Sequence, residues 1–325
     1  MAEYKGIKGF KVQYLSADPS NPIIGQTWYN DTSKDLKYTG VTTAGAWATG
    51  NNMNTARSQL SGAGTQTVAL AFGGDGPPTT GATEEYDGTN WATSNSLNTA
   101  RRFLAGAGTQ TAGLAFGGLN PTPAATGATE EYDGNSWVNS NSLNTARYAL
   151  AGCGTQTAAL AFGGAIPATG ATEEYDGTSW ANNPTGLNTA RELLGGAGTQ
   201  TAALAFGGLI PPNTGVTEEY NGSSWTSVNS MNTARAYLSG AGTQTAGLAF
   251  GGDVPPVTGA TEEYDGTSWA TSPASLATAR NTLAGAGTQT AALAFGGDSG
   301  GGTITAATEE WLGAGSPLTK TITVS

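Results

Sequence analysis

The apolar positions of this chain fall in short runs that recur. In the stretch from Arg191 to Trp225, a small-residue run, Leu194-Gly195-Gly196-Ala197-Gly198, leads through a polar turn at Thr199-Gln200 into Thr201-Ala202-Ala203-Leu204-Ala205-Phe206, which ends on Gly207-Gly208. With a side-chain period of two, Ala202, Leu204 and Phe206 point to one face and Ala203 and Ala205 to the other. Neither face is polar, so this second strand is expected to be buried on both sides. Val216-Thr217-Glu218-Glu219-Tyr220 predicts a third strand, and a fourth carries Trp225. Between them Asn221-Gly222, Asp-Gly in four other copies, is a tight-hairpin signal.

Almost everything after residue 50 repeats this unit. An Ala-Arg step recurs at Arg57, Arg101, Arg147, Arg191, Arg235 and Arg280, so the six copies are spaced by 44, 46, 44, 44 and 45 residues. Four short antiparallel strands at a period in the forties are the signature of a β-propeller. Small residues suit the first strand, because innermost strands converge and leave little room. The aromatics Phe and Trp then fill the wider space between blades, each burying roughly 150–250 Å².

Arg at the start, Gly-Gly closing strand two, Tyr in strand three and Trp in strand four resemble the kelch repeat, and all four occur in five consecutive copies. The resemblance implies a binding surface without catalysis of its own, although fold alone does not settle function. The expected fold is therefore all-β: a six-bladed kelch-like β-propeller over residues 41–325, preceded by a short β module over residues 1–40. The strand-four tryptophans are Trp47, Trp91, Trp137, Trp180, Trp225 and Trp269.

The N-terminal segment contains Gly25-Gln26-Thr27-Trp28-Tyr29-Asn30 and then Asp31-Thr32-Ser33-Lys34-Asp35-Leu36-Lys37-Tyr38, a strand, polar turn, strand pattern. Followed by Gly45-Ala46-Trp47, it resembles a short module of virion structural and tail-fibre proteins of tailed bacteriophages. Joined to near-identical NTAR…GTQTAALAFGG…TEEYDGTSW copies, it is similar to structural proteins of marine phages. That resemblance implies a virion location, attachment to other virion proteins through the N-terminal module, and contact of the propeller with a host-surface glycan or protein. A tail appendage is the first expectation. A capsid decoration or head fibre, a non-phage intracellular interaction propeller and a lectin-like glycan binder are the alternatives. Read without the resemblance, the segment is a cap on a blade edge.

The last copy reads Thr308-Glu309-Glu310-Trp311, with Trp311 in the Tyr position, and lacks the segment that supplies strand four. Ala46-Trp47-Ala48-Thr49 matches that segment and would close the sixth blade by joining the two ends of the chain, removing open edges. Pro317-Leu318-Thr319-Lys320-Thr321-Ile322-Thr323-Val324 competes for the same place.

Connections after strands one and three should emerge on one face, where the copies barely differ. Those after strands two and four emerge on the other, where each Gly-Gly is followed by a distinct loop: Asp75-Gly76-Pro77-Pro78, Leu119-Asn120-Pro121, Ala165-Ile166-Pro167, Leu209-Ile210-Pro211-Pro212, Asp253-Val254-Pro255-Pro256 and Asp298-Ser299-Gly300-Gly301. The two residues after each repeated arginine also differ: Ser58-Gln59, Arg102-Phe103, Tyr148-Ala149, Glu192-Leu193, Ala236-Tyr237 and Asn281-Thr282. They should lie near the channel mouth on the variable face. Aromatics and arginine are the usual anchors of recognition, so Arg102, Phe103, Tyr148, Glu192, Tyr237 and Asn281, with Leu209 and Ile210, are the candidate binding residues. The alternative is drift at exposed positions after duplication. The repeated arginines could form an anion-binding ring; pairing with strand-three glutamates is the favoured expectation, since the two charges recur together.

Composition narrows the chemistry. Histidine is absent from the 325 residues, which excludes Ser-His-Asp, Cys-His and His-ligated metal arrangements. The adjacent glutamates of strand three point to opposite faces and should not cooperate as a glycosidase pair. The Asp-Gly-Thr-Ser-Trp segment is similar to a sialidase Asp-box in part, but spacing and order differ, and a lone Asp per turn is a weak calcium site. No phosphate-cradling motif is present. The expectation is a non-enzymatic protein without cofactor or metal. Cys153 stands where other copies have Ala, a small buried substitute. No secretory segment or membrane-spanning run is found, implying synthesis in a cytoplasm and no membrane insertion. Net charge is −11, with 20 acidic against 8 basic residues after position 40, which disfavours nucleic-acid phosphates. Oligomerisation is left open.

Overall fold

The computed structural model describes residues 12–20, 23–41, 44–165, 167–314 and 317–322. It is all-β, with seven four-stranded sheets, six of them built from the sequence repeats. Two compact units divide the chain: Met1–Ala46 with Leu312–Ser325, and Trp47–Trp311.

In the first unit, strands β1 (Val12–Leu15), β2 (Thr27–Asn30) and β3 (Asp35–Val41) pair in that order, followed by the C-terminal strand Pro317–Ile322. The β2–β3 hairpin sets Trp28 opposite Lys37 and Tyr29 opposite Leu36, with the polar Asp31–Lys34 segment as its turn. The β1–β2 pairing is parallel. The C-terminal strand, one of two candidates for strand four of the last repeat, instead pairs antiparallel with β3 from Pro317 opposite Val41 to Ile322 opposite Leu36. It therefore belongs with the N-terminal module, not with the unit Trp47–Trp311. The vacant place goes to β4 (Ala46–Gly50), beside Thr308–Leu312.

The first repeat shows how each sheet is made. Strands β5 (Ser61–Gly64), β6 (Ala69–Phe72), β7 (Thr83–Tyr86) and β8 (Trp91–Ser94) form a meander, with Gly62 opposite Ala71, Leu70 opposite Glu85 and Tyr86 opposite Trp91. All four residues of β6 are inaccessible to solvent, as the two-sided apolar pattern requires. The Asp-Gly turn is held by Asp87, whose Oδ1 accepts from the amides of Thr89 and Asn90 at 2.8 and 2.6 Å, while Gly88 takes φ 89°. Those two amides hold the Asp87 carboxyl below its ordinary pKa. The aspartate is thus a turn former, and Asn221 does the same work in its copy.

The first strands neighbour one another in cyclic order, and the last, Ala284–Gly287, returns to β5. Four side-chain series run round this cycle. Phe72 reaches the next inner strand, where a Cβ on Gly106 would come within 2.5 Å of its ring, and Phe295 stands likewise 2.4 Å from a Cβ on Gly62. Each tryptophan donates its indole N–H to the strand-three threonine of the preceding sheet: Trp91 to Thr308, Trp137 to Thr83, Trp180 to Thr129, Trp225 to Thr172, Trp269 to Thr217 and Trp47 to Thr261. Each Gly-Thr-Gln-Thr glutamine gives its amide N–H groups to two backbone carbonyls of the preceding sheet, from Gln110 on Ala69 and Tyr86 round to Gln66 on Ala292 and Trp311. Such bonds contribute about 0.5–1.5 kcal/mol each, which gives the invariant turns a physical reason.

In the fourth series, the strand-three tyrosine hydroxyl donates to the second glutamate of the preceding sheet: Tyr132 to Glu85, Tyr175 to Glu131, Tyr220 to Glu174, Tyr264 to Glu219 and Tyr86 to Glu310. The sixth place is vacant. Trp311 replaces the tyrosine, its indole donates to the Gln289 carbonyl, and Glu263 is left half-buried with its pKa raised by burial.

Candidate functional site at the axial mouth

The repeated arginines are buried inside their own sheets. Arg57 pairs with Glu84 at 3.2 Å, Arg101 with Glu130 at 2.9 Å, Arg191 with Glu218 at 2.5 Å, Arg235 with Glu262 at 3.3 Å and Arg280 with Glu309 at 2.5 Å; Arg147 pairs with Glu173. Burial lowers the pKa of each guanidinium, Arg57 to about 10, against the opposing pull of the carboxylate. Each glutamate also accepts two backbone amides from the segment before its arginine, as Glu218 does from Asn188 and Thr189. An arginine committed in this way has no charge to offer a bound anion. The first glutamate of each pair is thus held inside its own sheet, whereas five of the second glutamates accept from the tyrosine of the next sheet.

The residues that follow each arginine make the mouth of the cycle. The first of the two bridges to the loop after Gly-Gly: Ser58 to Asp75, Arg102 to Leu119, Tyr148 to Ala165, Glu192 to Leu209, Ala236 to Asp253 and Asn281 to Asp298. The second forms a closed hoop. Phe103 N–H donates to the Gln59 carbonyl, Ala149 to Phe103, Leu193 to Ala149, Tyr237 to Leu193, Thr282 to Tyr237 and Gln59 to Thr282, all at 2.8–3.0 Å. All six take left-handed backbone angles, φ 51–57°, and none is glycine. Side chains rarely adopt this region, at a cost of order 1–3 kcal/mol each. The hoop's six hydrogen bonds, at about 0.5–1.5 kcal/mol each, offset part of that strain.

Inside the hoop lies a pit of about 90 Å³ lined by its six residues and by the leucines that follow them, Leu60 to Leu283. Beyond, a second cavity of about 150 Å³ is bounded by the same leucines and the small residues of the inner strands, such as Ser61-Gly62 and Gly195-Gly196. The candidate residues divide accordingly. Phe103 and Tyr237 line the pit; Arg102, Tyr148, Glu192 and Asn281 occupy the bridging position around it, with Leu209 bridged to Glu192. Ile210 is half-buried beside Leu209 and does not line the pit. Ile166 of the third loop lies outside the described residues.

The mouth is unequal around its circumference. Phe103, Tyr148, Leu193 and Leu209 come from the second, third and fourth repeats; Asp253, Asp298, Asp75, Asn281 and Gln59 come from the fifth, sixth and first. Phe103 and Tyr148 stand 6.2 Å apart between ring centroids, tilted by 52°. Arg102 spans the boundary, its Nη1 bonded to Thr79 Oγ1 at 3.0 Å and 3.8 Å from Asp75. Burial raises the Glu192 pKa. Burial also raises that of Tyr237, with smaller contributions from Glu192, Asp253 and Tyr148. The hoop itself was invisible to sequence reasoning, because the six positions share neither residue type nor glycine.

In the terminal unit the Trp-Tyr-Asn motif is committed internally. Trp28 Nε1 and Asn30 Nδ2 donate to Asp18 Oδ1 at 3.0 and 2.6 Å, and Lys37 Nζ lies 2.7 Å from Oδ2. These contacts, led by Lys37, lower the Asp18 pKa to about 2. Among the described residues of this unit the large exposed apolar groups are Tyr14, Ile23 and Ile24.

Among the described residues no cluster of three or more acidic or thiol side chains could hold a metal ion. No protein-family model matches the chain, and a comparison with curated proteins finds no match.

Proposed function

We propose that the chain is a six-bladed kelch-like β-propeller in which Trp47 completes the last blade, and that it works as a non-enzymatic virion protein of a tailed phage. In this reading the sheet of β1, β2, β3 and the C-terminal strand is a separate attachment module, not a seventh blade, and contacts other virion proteins. The propeller is displayed on a tail appendage and meets the host surface with its variable face. One observation carries the binding role: the tryptophan, glutamine and arginine–glutamate contacts repeat in all six copies, whereas the two residues after each arginine, at the mouth, differ in all six. An asymmetric ligand requires such a surface, and two aromatic side chains, Phe103 and Tyr237, line its pit. The phage assignment rests on the likeness of the N-terminal motif and the repeats to phage structural proteins.

Immunogold electron microscopy of purified particles from the source, with antibody to the propeller, tests the assignment. Label confined to the tail is the expected result, and label over the head would move the role to capsid decoration. Absence of label from intact and disrupted particles, with the protein present in host cytosol, would refute the virion reading and leave an intracellular interaction propeller.

A further inference from the structure

Five repeats carry a complete turn between strands three and four, and four of these place aspartate before the glycine: Asp87-Gly88, Asp133-Gly134, Asp176-Gly177 and Asp265-Gly266. The fourth repeat has Asn221-Gly222 instead, the only Asn-Gly step of the chain. Asn221 is exposed, and its Oδ1 accepts from the amides of Ser223 at 3.0 Å and Ser224 at 2.9 Å. Neither its Nδ2 nor the Gly222 N–H takes part in a described hydrogen bond. A polarised carbonyl, a free leaving group and a free neighbouring nitrogen thus meet at one carbon.

We infer that Asn221 is a site of spontaneous modification, at which the folded chain deamidates in water to aspartate. Hydroxide removes the Gly222 amide proton, and the nitrogen attacks Asn221 Cγ, forming an N–C bond. Glycine suits the step because it has no Cβ to hinder the approach. Negative charge develops on Oδ1, between two N–H groups already at the distances, about 2.7–3.1 Å, that stabilise an oxyanion. The Cγ–Nδ2 bond then breaks, Nδ2 takes a proton from water and leaves as ammonia, and a five-membered succinimide remains. Water opens that ring at one of its two carbonyls, breaking the new bond to give aspartate or the original peptide bond to give isoaspartate. The turn selects aspartate, since four copies already build it on that residue. Isoaspartate would lengthen by one carbon a backbone whose hairpin is fixed by the Tyr220–Trp225 pairing and the bond from Asn221 N–H to the Ser224 carbonyl. The reaction ends there. Turn amides hold the aspartates of the other copies below their ordinary pKa, and a carboxylate resists nucleophilic attack.

The test follows the full chain and the acetylated, amidated peptide Glu-Tyr-Asn-Gly-Ser-Ser-Trp at pH 8 by peptide mapping, with mass spectrometry reading the exchange of amide for acid and fragmentation separating aspartate from isoaspartate. Asp87→Asn places a second Asn-Gly step in the same turn, where the side-chain oxygen meets the amides of Thr89 and Asn90. In the parent, conversion at Asn221 and at no other asparagine is expected, at least threefold faster than in the peptide and with aspartate as the main product. Position 87 of Asp87→Asn should convert within threefold of the Asn221 rate. Survival of Asn221 in the folded chain while the peptide converts, a folded rate at or below that of the peptide, or isoaspartate as the main product overturns the proposal. So does a stable asparagine in Asp87→Asn, because the turn would then not be the cause. Asn221→Asp should melt with the parent, and a lower melting temperature would show that the product does not fit the turn.

Discussion

Replacing Glu218 with glutamine tests how the repeat is held together. The carboxylate is inaccessible to solvent and accepts from Arg191 Nη1 at 2.5 Å and from the amides of Asn188 and Thr189 at 2.7 and 3.3 Å. Glutamine keeps the shape and removes the charge, leaving the Arg191 guanidinium with carbonyl partners only, Gly207, Thr189 and Ala205. Breaking one partner of a buried ion pair costs about 3–5 kcal/mol. At about 2–4 °C per kcal/mol for a domain of this size class, the melting temperature should fall by roughly 6–20 °C. Arg191→Leu should cost a similar amount, since it strands the carboxylate. The double substitution should cost less than the two singles together, because neither charge is then left alone, though the amides of Asn188 and Thr189 keep it below the parent. Calorimetry or urea unfolding of the four proteins reads the cycle. A Glu218→Gln protein within about 1 kcal/mol of the parent, or strict additivity in the double, would refute the reasoning.

Three further outcomes follow from other contacts. Trp47→Ala removes an indole packed 5.1 Å from Phe250 and 5.3 Å from Trp311 and bonded to Thr261, and should cost about 3 kcal/mol in urea unfolding; a loss under about 1 kcal/mol would mean that β4 does not close the last sheet. The raised Glu263 pKa means that the folded state holds this proton more tightly than the unfolded chain, so its stabilising contribution is present at low pH and is lost as pH rises through the raised value. Glu263→Gln should therefore be more stable than the parent at pH 7 and indistinguishable from it near pH 4, and a constant difference across that range would contradict the assignment. Cys153 is buried and its thiol pKa is pushed up to about 12, so iodoacetamide at pH 8 should leave the folded protein unmodified and label it fully in urea; rapid labelling of the folded form would show the thiol accessible.

The strands and their order were legible because each unit is written out repeatedly, and a two-sided apolar run such as Ala203–Phe206 admits few other readings. The pairing of arginine with glutamate was legible as a recurrence of opposite charges. Two candidates stood for the last strand of the sixth sheet, since both are extended segments of suitable length. The choice follows from chemistry the pattern does not encode: Trp47 brings an indole for Thr261 and a ring for Phe250, and the free edge of β3 takes the C-terminal strand. At the mouth, sequence placed Phe103 and Tyr237 near the axis by their variability. It gave no hint that backbone alone joins them. Left-handed residues usually announce themselves as glycine or asparagine, and Gln, Phe, Ala, Leu, Tyr and Thr do not.

That hoop separates two demands that most binding sites must reconcile. Its cohesion comes from main-chain groups, which every non-proline residue carries, so the side chains at Gln59, Phe103, Ala149, Leu193, Tyr237 and Thr282 are released from structural duty. The six positions are open to exchange among residues that keep the backbone N–H and accept a φ near 55°. Under the proposed binding role, a lineage whose target changed could alter these positions one residue at a time and leave the sheets beneath untouched. A laboratory library varied at those six codons alone would sample the same freedom.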